Sequence, residues 1–352
     1  MDVPARLTRV ARFQNLRALA WAGDELYASR GYKVVRAKIQ DPSSILWQPV
    51  AEFRPQFSRR ISVMNRFTAR LFRDGFHALA VLPSGGLVGA VPGAIVTLSA
   101  GESQFRATHA ITRGTRPLHI TPVPGGIVYW GEYFDNAARD EVHIYASTDA
   151  GATWNTAYTF PKGSIRHVHN IIHDPWGDCL WILTGDYGDE CRVLRAACDL
   201  SRIDIIMQGN QQARAVAAVP AEDSLYFSTD TPLESNYIYR LDQKGKLTQL
   251  AQISSSSIYG CRVRSRVFFS TMVEPSKVNP DRNVRIYGAQ LPEANSWQPL
   301  LAWEKDPLPL GLFQYGNAFL PDGHNSTAIL ALSTVGVKSG DMSTLIYTTN
   351  GV

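Results

Sequence analysis

His77–Val91 reads HALAVLPSGGLVGAV, a short strand, a Pro/Gly turn and a second apolar strand. Pro83 presets φ for the turn and is excluded from a central strand, so it pins the hairpin register. The same pattern recurs as HITPVPGGIVYWGEY from His119, HNIIHDPWGDCLWILTGD from His169, RAVAAVPAEDSLYFSTD from Arg214 and YGNAFLPDGHNSTAILALST from Tyr315. The turn prolines there are Pro124, Pro175, Pro220 and Pro321. After each hairpin comes a strand, a turn and a further strand, as in Val142–Phe160 (VHIYASTDAGATWNTAYTF) and Tyr237–Ile253 (YIYRLDQKGKLTQLAQI). The whole unit spans roughly 45 to 60 residues, the scale of a four-stranded propeller blade.

The last copy, Thr344–Val352 (TLIYTTNGV), stops at the chain end without its fourth strand, while Arg6–Phe13 (RLTRVARF) alternates ahead of the first blade. These halves predict an all-β, seven-bladed β-propeller with four-stranded antiparallel blades, closed by the N-terminal strand. Closure removes the open edge that would invite aggregation.

Composition agrees. The chain has 352 residues, 45% of them hydrophobic and only 19% charged, with 27 Gly and 20 Pro. That suits many short strands joined by tight turns, and it predicts one propeller domain over 1–352. A net charge of +4 carries no nucleic-acid footprint. Cys179, Cys191, Cys198 and Cys261 show no C-x-x-C spacing, which predicts structural thiols. No stretch reaches the length of a transmembrane helix, and MDVPARLTRVARFQNL lacks an apolar signal core. The expectation is a cytoplasmic monomer, or a secreted one if the numbering begins at a mature form.

Ser147–Trp154 (STDAGATW) matches the Asp box, S-x-D-x-G-x-T-W. Its Asp caps turn amides, its Gly supplies a positive φ and its Trp packs beneath the neighbouring sheet. On this motif and the repeat, the chain resembles the sialidase-like superfamily of BNR-repeat propellers. In that superfamily the box is a turn staple away from the active site, so the resemblance bears on architecture rather than chemistry.

In a propeller the innermost strands begin, and the second strands end, on one face around the central channel. Counting back from the turn prolines, first strands begin near His77, His119, His169, Arg214 and Tyr315, with His167 two residues ahead of His169. Second strands end at Glu132-Tyr133, Asp186, Asp230 and near Glu274. Imidazoles and carboxylates are thus predicted to converge in one top-face pocket.

Residues 54–75 (RPQFSRRISVMNRFTARLFRDG) are too long for a simple link between blades. Ile61, Met64, Phe67 and Leu71 share one helical face, with Arg59, Arg60, Arg66, Arg70 and Arg73 on the others. The segment reads as a basic helical flap over the pocket. Arg113, Arg116 and Arg166 occupy other blade-to-blade links, so an anionic ligand is expected.

The resemblance implies a carbohydrate-active enzyme, a glycoside hydrolase or polysaccharide lyase taking an acidic oligosaccharide or polysaccharide. A sialidase would show Arg-Ile-Pro near its start, but here Arg60-Ile61 is followed by Ser62. A uronate-acting enzyme fits better. For elimination, His167 or His169 is the base, Arg166 or Arg214 neutralises the carboxylate, and Tyr133 or Tyr259 protonates the leaving oxygen. For hydrolysis, Glu132 pairs with Asp186 or Asp230. His119 joins the catalytic set, while His77, Arg116, Tyr315, Arg60 and Arg66 bind substrate. No cofactor is expected. A divalent cation held by these imidazoles and carboxylates is the minor alternative, because no compact ligand motif exists. The other readings are a non-catalytic propeller binding a glycan or a protein, and an intracellular glycosyltransferase or phosphorylase using an activated sugar.

Overall fold

The computed structural model describes residues 6–42, 44–292 and 294–350. Seven sheets surround a central channel. Blade 1 runs Arg17–Gly23, Glu25–Arg30, Lys33–Lys38 and Gln48–Glu52 from the channel outward. Blades 2 to 6 repeat this order, their innermost strands being Ala78–Val81, Thr121–Pro122, His167–Asp174, Ala215–Ala221 and Ser257–Val263. In blade 7, Asn317–Phe319, Ile329–Val335 and Ser343–Asn350 are followed outward by Arg6–Gln14. That last pairing is antiparallel, from Arg6 opposite Asn350 to Gln14 opposite Ser343. The N-terminal strand therefore closes the ring, as expected.

Each of the seven blade interfaces has its own apolar core. Blades 1 and 2, for example, meet through Leu19, Tyr27, Phe76, Leu79 and Val96, and blades 6 and 7 through Tyr259, Phe268, Leu330 and Leu345. Burying both faces of every blade explains the near-continuous apolar runs in the second strands.

Two features of the hairpins differ from expectation. Pro220 lies inside the Ala215–Ala221 strand, opposite Leu225. The innermost strand is an edge facing the channel, so a missing N–H there costs no ladder bond. In blade 7 the segment after Pro321 does not form a tight turn. Asp322–Asn325 instead runs parallel to the innermost strand of blade 1, Ala20 opposite Asp322. Gly323, at φ +86°, permits this approach, since a Cβ there would strike the Trp21 carbonyl oxygen.

The Asp-box turn sits between the third and fourth strands of blade 3, on the face away from the starts of the innermost strands. Asp149 Oδ1 accepts from the Thr153 amide at 2.9 Å, and Ser147 Oγ accepts from the Gly151 amide at 2.8 Å. Trp154 Nε1 donates to Thr108 of blade 2 at 3.2 Å, so the turn staples two blades.

The 54–75 segment holds two short helices, α1 (Phe57–Ser62) and α2 (Arg66–Phe72). Arg60, Arg66 and Arg73 are exposed as expected, but the apolar stripe is exposed too and Arg70 is turned inward. Ile61, Met64, Phe67 and Leu71 are 51%, 83%, 44% and 38% exposed, whereas Arg70 is 2% exposed. Arg70 Nη1 reaches Asp306 at 2.5 Å and Asp341 at 3.3 Å, both carboxylates nearly buried. Two buried carboxylates require a cation more strongly than the apolar stripe requires cover, so the arginine turns inward. The helices pack over blades 7, 1 and 2, above a cavity of about 520 Å³ lined by Arg17, Arg30, Arg66, Arg70 and Phe319.

Candidate functional site

The channel mouth on the top face is electrically divided. One side, from blades 3 to 6, is a carboxylate and imidazole cluster. His167 and His169 begin the innermost strand of blade 4, and Asp186 follows its second strand. His169 is the extra residue of a β-bulge, since Val168 pairs with Thr184 and Asn170 with Leu183. A bulge re-aims a side chain. The two Nε2 atoms lie 3.0 Å apart. Asp186 Oδ1 is 3.3 Å from His169 Nε2 and its Oδ2 is 3.6 Å from His167 Nε2.

Arg166 Nη1 and Arg214 Nη2 hold the same carboxylate at 3.2 and 3.3 Å. Arg214 also approaches Asp230 at 3.7 Å, and Arg166 pairs with Asp135. Tyr133 stacks against His167, ring centroids 4.3 Å apart. Two guanidiniums in contact with it keep the buried Asp186 carboxylate ionised. Burial pushes His169 down, with Asp186 opposing. Asp230 is raised to about 7, first by burial, with Arg214 pulling down and Glu274 and Asp186 pushing up. Burial and the carboxylates of Asp230 and Asp186 also raise Tyr133.

The opposite side, from blades 6, 7, 1, 2 and 3, is cationic. Arg17, His77, Arg116 and His119 converge there with Tyr259. Arg17 Nη2 donates to the His77 carbonyl at 3.1 Å and its Cζ lies 3.8 Å over the Phe319 ring. Arg116 Nη1 donates to the Arg73 carbonyl at 2.9 Å. Burial, then the charge of Arg17, lowers Arg116 to about 10. Burial likewise lowers His77, with Arg116 and Arg17 adding repulsion, so it is neutral. Arg17 Nε, His77 Nε2 and His119 Nε2 are buried and have no hydrogen-bond partner among the described residues. The carboxylate in this half is Asp322, which accepts from His119 Nδ1 at 2.9 Å. Two mutually repelling guanidiniums, Arg17 and Arg116, beside unpartnered imidazole nitrogens give this half of the channel a preference for anions.

Several sequence-based placements need correction. Glu132 does not join the histidines: its carboxylate is gripped by Arg113 and accepts from the His143 amide at 2.8 Å. His119 belongs to the cationic half, through Asp322 and Tyr259, rather than to the His167–His169 pair. The flap roofs the junction of blades 7 and 1, not the His cluster on blade 4. Arg60 is exposed on α1, Arg66 lies at the rim of the 520 Å³ cavity with its Cζ over Phe67, and Tyr315 is 37% exposed. Arg17 escaped the sequence reading, and Arg73 was read only as a flap residue. Arg17 precedes no turn proline, and so gave no register signal.

The top face also carries exposed apolar side chains. Ten of the fifteen exposed large hydrophobic side chains among the described residues stand on its loops, namely Phe57, Ile61, Met64, Phe67, Leu71, Phe72, Tyr187, Leu233, Leu312 and Tyr315. The other end of the channel opens into a cavity of about 1030 Å³, lined by the first hairpin turns and reaching inward as far as His119 and Asp322.

The sequence matches no protein-family model. It matches no curated protein either. Solved structures share the fold. The WD40 β-propeller domain of Doa1 superposes with TM-score 0.60 at 10% identity, over 98% of each chain. A chain of the mitotic checkpoint complex gives 0.58 at 10% identity, covering 100% of this chain and 98% of that one. A puromycin hydrolase mutant complexed with PGG gives 0.55 at 11% identity, over 92% of this chain and 54% of that one. At such identities the likeness establishes a seven-bladed propeller and nothing about chemistry.

Proposed function

We propose that this protein is a non-catalytic binding propeller, whose top face docks a protein partner carrying an acidic segment. The observation that carries the reading is the pair of guanidiniums Arg17 and Arg116, with Arg17 Nε and the neighbouring His77 Nε2 left without a hydrogen-bond partner among the described residues, and exposed apolar side chains on the surrounding loops. Contiguous exposed apolar surface marks a docking site, and a desolvated guanidinium gives it charge specificity. A polysaccharide would be met by polar groups along a cleft, not by Met64 at 83% exposure beside Phe57 at 74%.

The enzyme readings lose their reagents. Glu132 and Asp186 are each ion-paired to arginine, and Asp230, though raised to about 7, is only 7% exposed beside Arg214, which does not suit the accessible acid and base that hydrolysis requires. The Nε2 atoms of His167 and His169 face each other rather than the channel, and the residues are only 5% and 3% exposed. The Asp-box turn supports kinship with sialidase-like propellers, in the role of a staple. Propellers in the mitotic checkpoint complex and in Doa1 support a binding role by analogy only.

The test is fluorescence anisotropy with two ligand sets, acidic peptides bearing aromatic or aliphatic flanks and acidic oligosaccharides, at low and moderate salt. Peptide binding is expected, weakening with salt, and weakened at least tenfold (about 1.4 kcal/mol) by Arg116→Ala. Binding or turnover of the oligosaccharides alone restores the carbohydrate reading. Binding of neither overturns the docking assignment.

A further inference from the structure

The His167–His169 pair presents a hydrogen-bonding contradiction that a metal ion resolves. His169 Nδ1 lies 2.8 Å from the Ala215 carbonyl oxygen, and His167 Nδ1 lies 2.9 Å from that of Phe134. A carbonyl only accepts, so each neutral ring carries its proton on Nδ1 and presents a bare lone pair at Nε2. Those two lone pairs face each other at 3.0 Å, and the Asp186 carboxylate, another acceptor, straddles them at 3.3 and 3.6 Å. Three acceptors pointed at one spot repel unless something positive sits between them.

We propose that His167, His169 and Asp186 bind one divalent transition-metal ion of the zinc class, a site independent of the docking surface. The geometry fits. An ion about 2.0–2.1 Å from each donor would see the 3.0 and 3.3 Å edges at roughly 90–110°, within the range of tetrahedral to octahedral coordination. All three residues are buried, and their donor atoms come from two adjacent strands of one blade, so the cage is preformed. The outer shell is that of a metal centre. Each imidazole is oriented by a backbone carbonyl through Nδ1, and the carboxylate by Arg166 and Arg214. Two imidazoles and one carboxylate favour zinc, cobalt or nickel over magnesium or calcium, which prefer all-oxygen sets. The site is built from His two apart on a bulged strand, plus an Asp 17 residues beyond His169, and so has no linear motif.

The experiment is titration of the chelator-stripped full-length chain with Co²⁺, followed by its visible ligand-field absorption, with Zn²⁺ as competitor. One equivalent of Co²⁺ should bind with a defined ligand-field band that Zn²⁺ abolishes. Asp186→Ala would strand two guanidiniums and test folding as well as binding. The deciding variants are therefore His167→Ala and His169→Ala, each checked by circular dichroism. Each should weaken binding by more than the ~10–100-fold that loss of an outer-shell partner costs. A second trio, His173, Asp178 and Cys198, lies on the other face and is half-exposed. Its thiolate would add charge-transfer absorption, and His173→Ala should leave the titration unchanged. If folded wild-type protein and the His167→Ala/His169→Ala double variant titrate alike, or if His173→Ala removes the band, the proposal fails. In the first case the two imidazoles share a proton instead.

Discussion

Arg70→Ala should release the flap while leaving the blades intact. The side chain is 2% exposed and bridges Asp306 and Asp341, whose side chains are 10% and 8% exposed. Removing one partner of such a buried ion cluster costs about 3–5 kcal/mol, because the carboxylates stay desolvated and lose their cation. Lys305 remains beside Asp306, which places the loss toward the lower end. The flap can escape part of that cost by lifting away and rehydrating the acids, so the perturbation should appear as local opening. Hydrogen exchange is the assay. Amides of Phe57–Phe72 should exchange roughly 10²- to 10³-fold faster, while those of the second strands of the blades keep their protection. The triple variant Arg70→Met, Asp306→Asn, Asp341→Asn, which removes the charges together, should recover most of the protection. Unchanged exchange in Arg70→Ala would refute the view that a buried ion cluster turns the flap and bares its apolar face. A uniform loss of protection across all blades would refute the claim that the flap opens alone.

Two other outcomes follow from the fold. Deleting the first 14 residues strips Ser343–Asn350 of its antiparallel partner and bares a strand edge; size-exclusion chromatography should then show aggregation in place of a single species. A deletion variant that remains as well behaved as the full chain would contradict closure by the N-terminal strand. Asp149 is lowered from its ordinary 3.8 to about 2, chiefly by the Thr153 hydroxyl and amide. A depressed carboxyl stabilises the fold above its unfolded pKa and loses that contribution as pH falls through the folded one. The melting-temperature gap between wild type and Asp149→Ala should therefore be fully open at pH 7 and narrow between about pH 4 and pH 2. A gap of constant width across that range would show that the Asp-box carboxylate does not staple the turn as an anion.

The blade count, the strand order and the N-terminal closure were all legible in the sequence, because they rest on local chemistry repeated around the ring. Strand alternation, turn prolines and an unmatched half-blade need only a few neighbouring residues to be read. The same register logic brought His167, His169 and Asp186 to one blade end, and Arg214 and Asp230 beside them. The partner each side chain chose was decided only by tertiary structure. Glu132 stands where a catalytic acid would, but Arg113 from the preceding link takes it. Arg70 looked like a solvated residue on an amphipathic helix, until Asp306 and Asp341, more than 200 positions away, drew it inward and left Ile61, Met64 and Phe67 bare. His119 was drawn to Asp322 by a strand of blade 7 that crosses to blade 1. Periodicity is a property of adjacent residues and survives in one dimension. Charge compensation is a property of whatever the closed ring brings within a few ångströms, and only the closed ring contains that information.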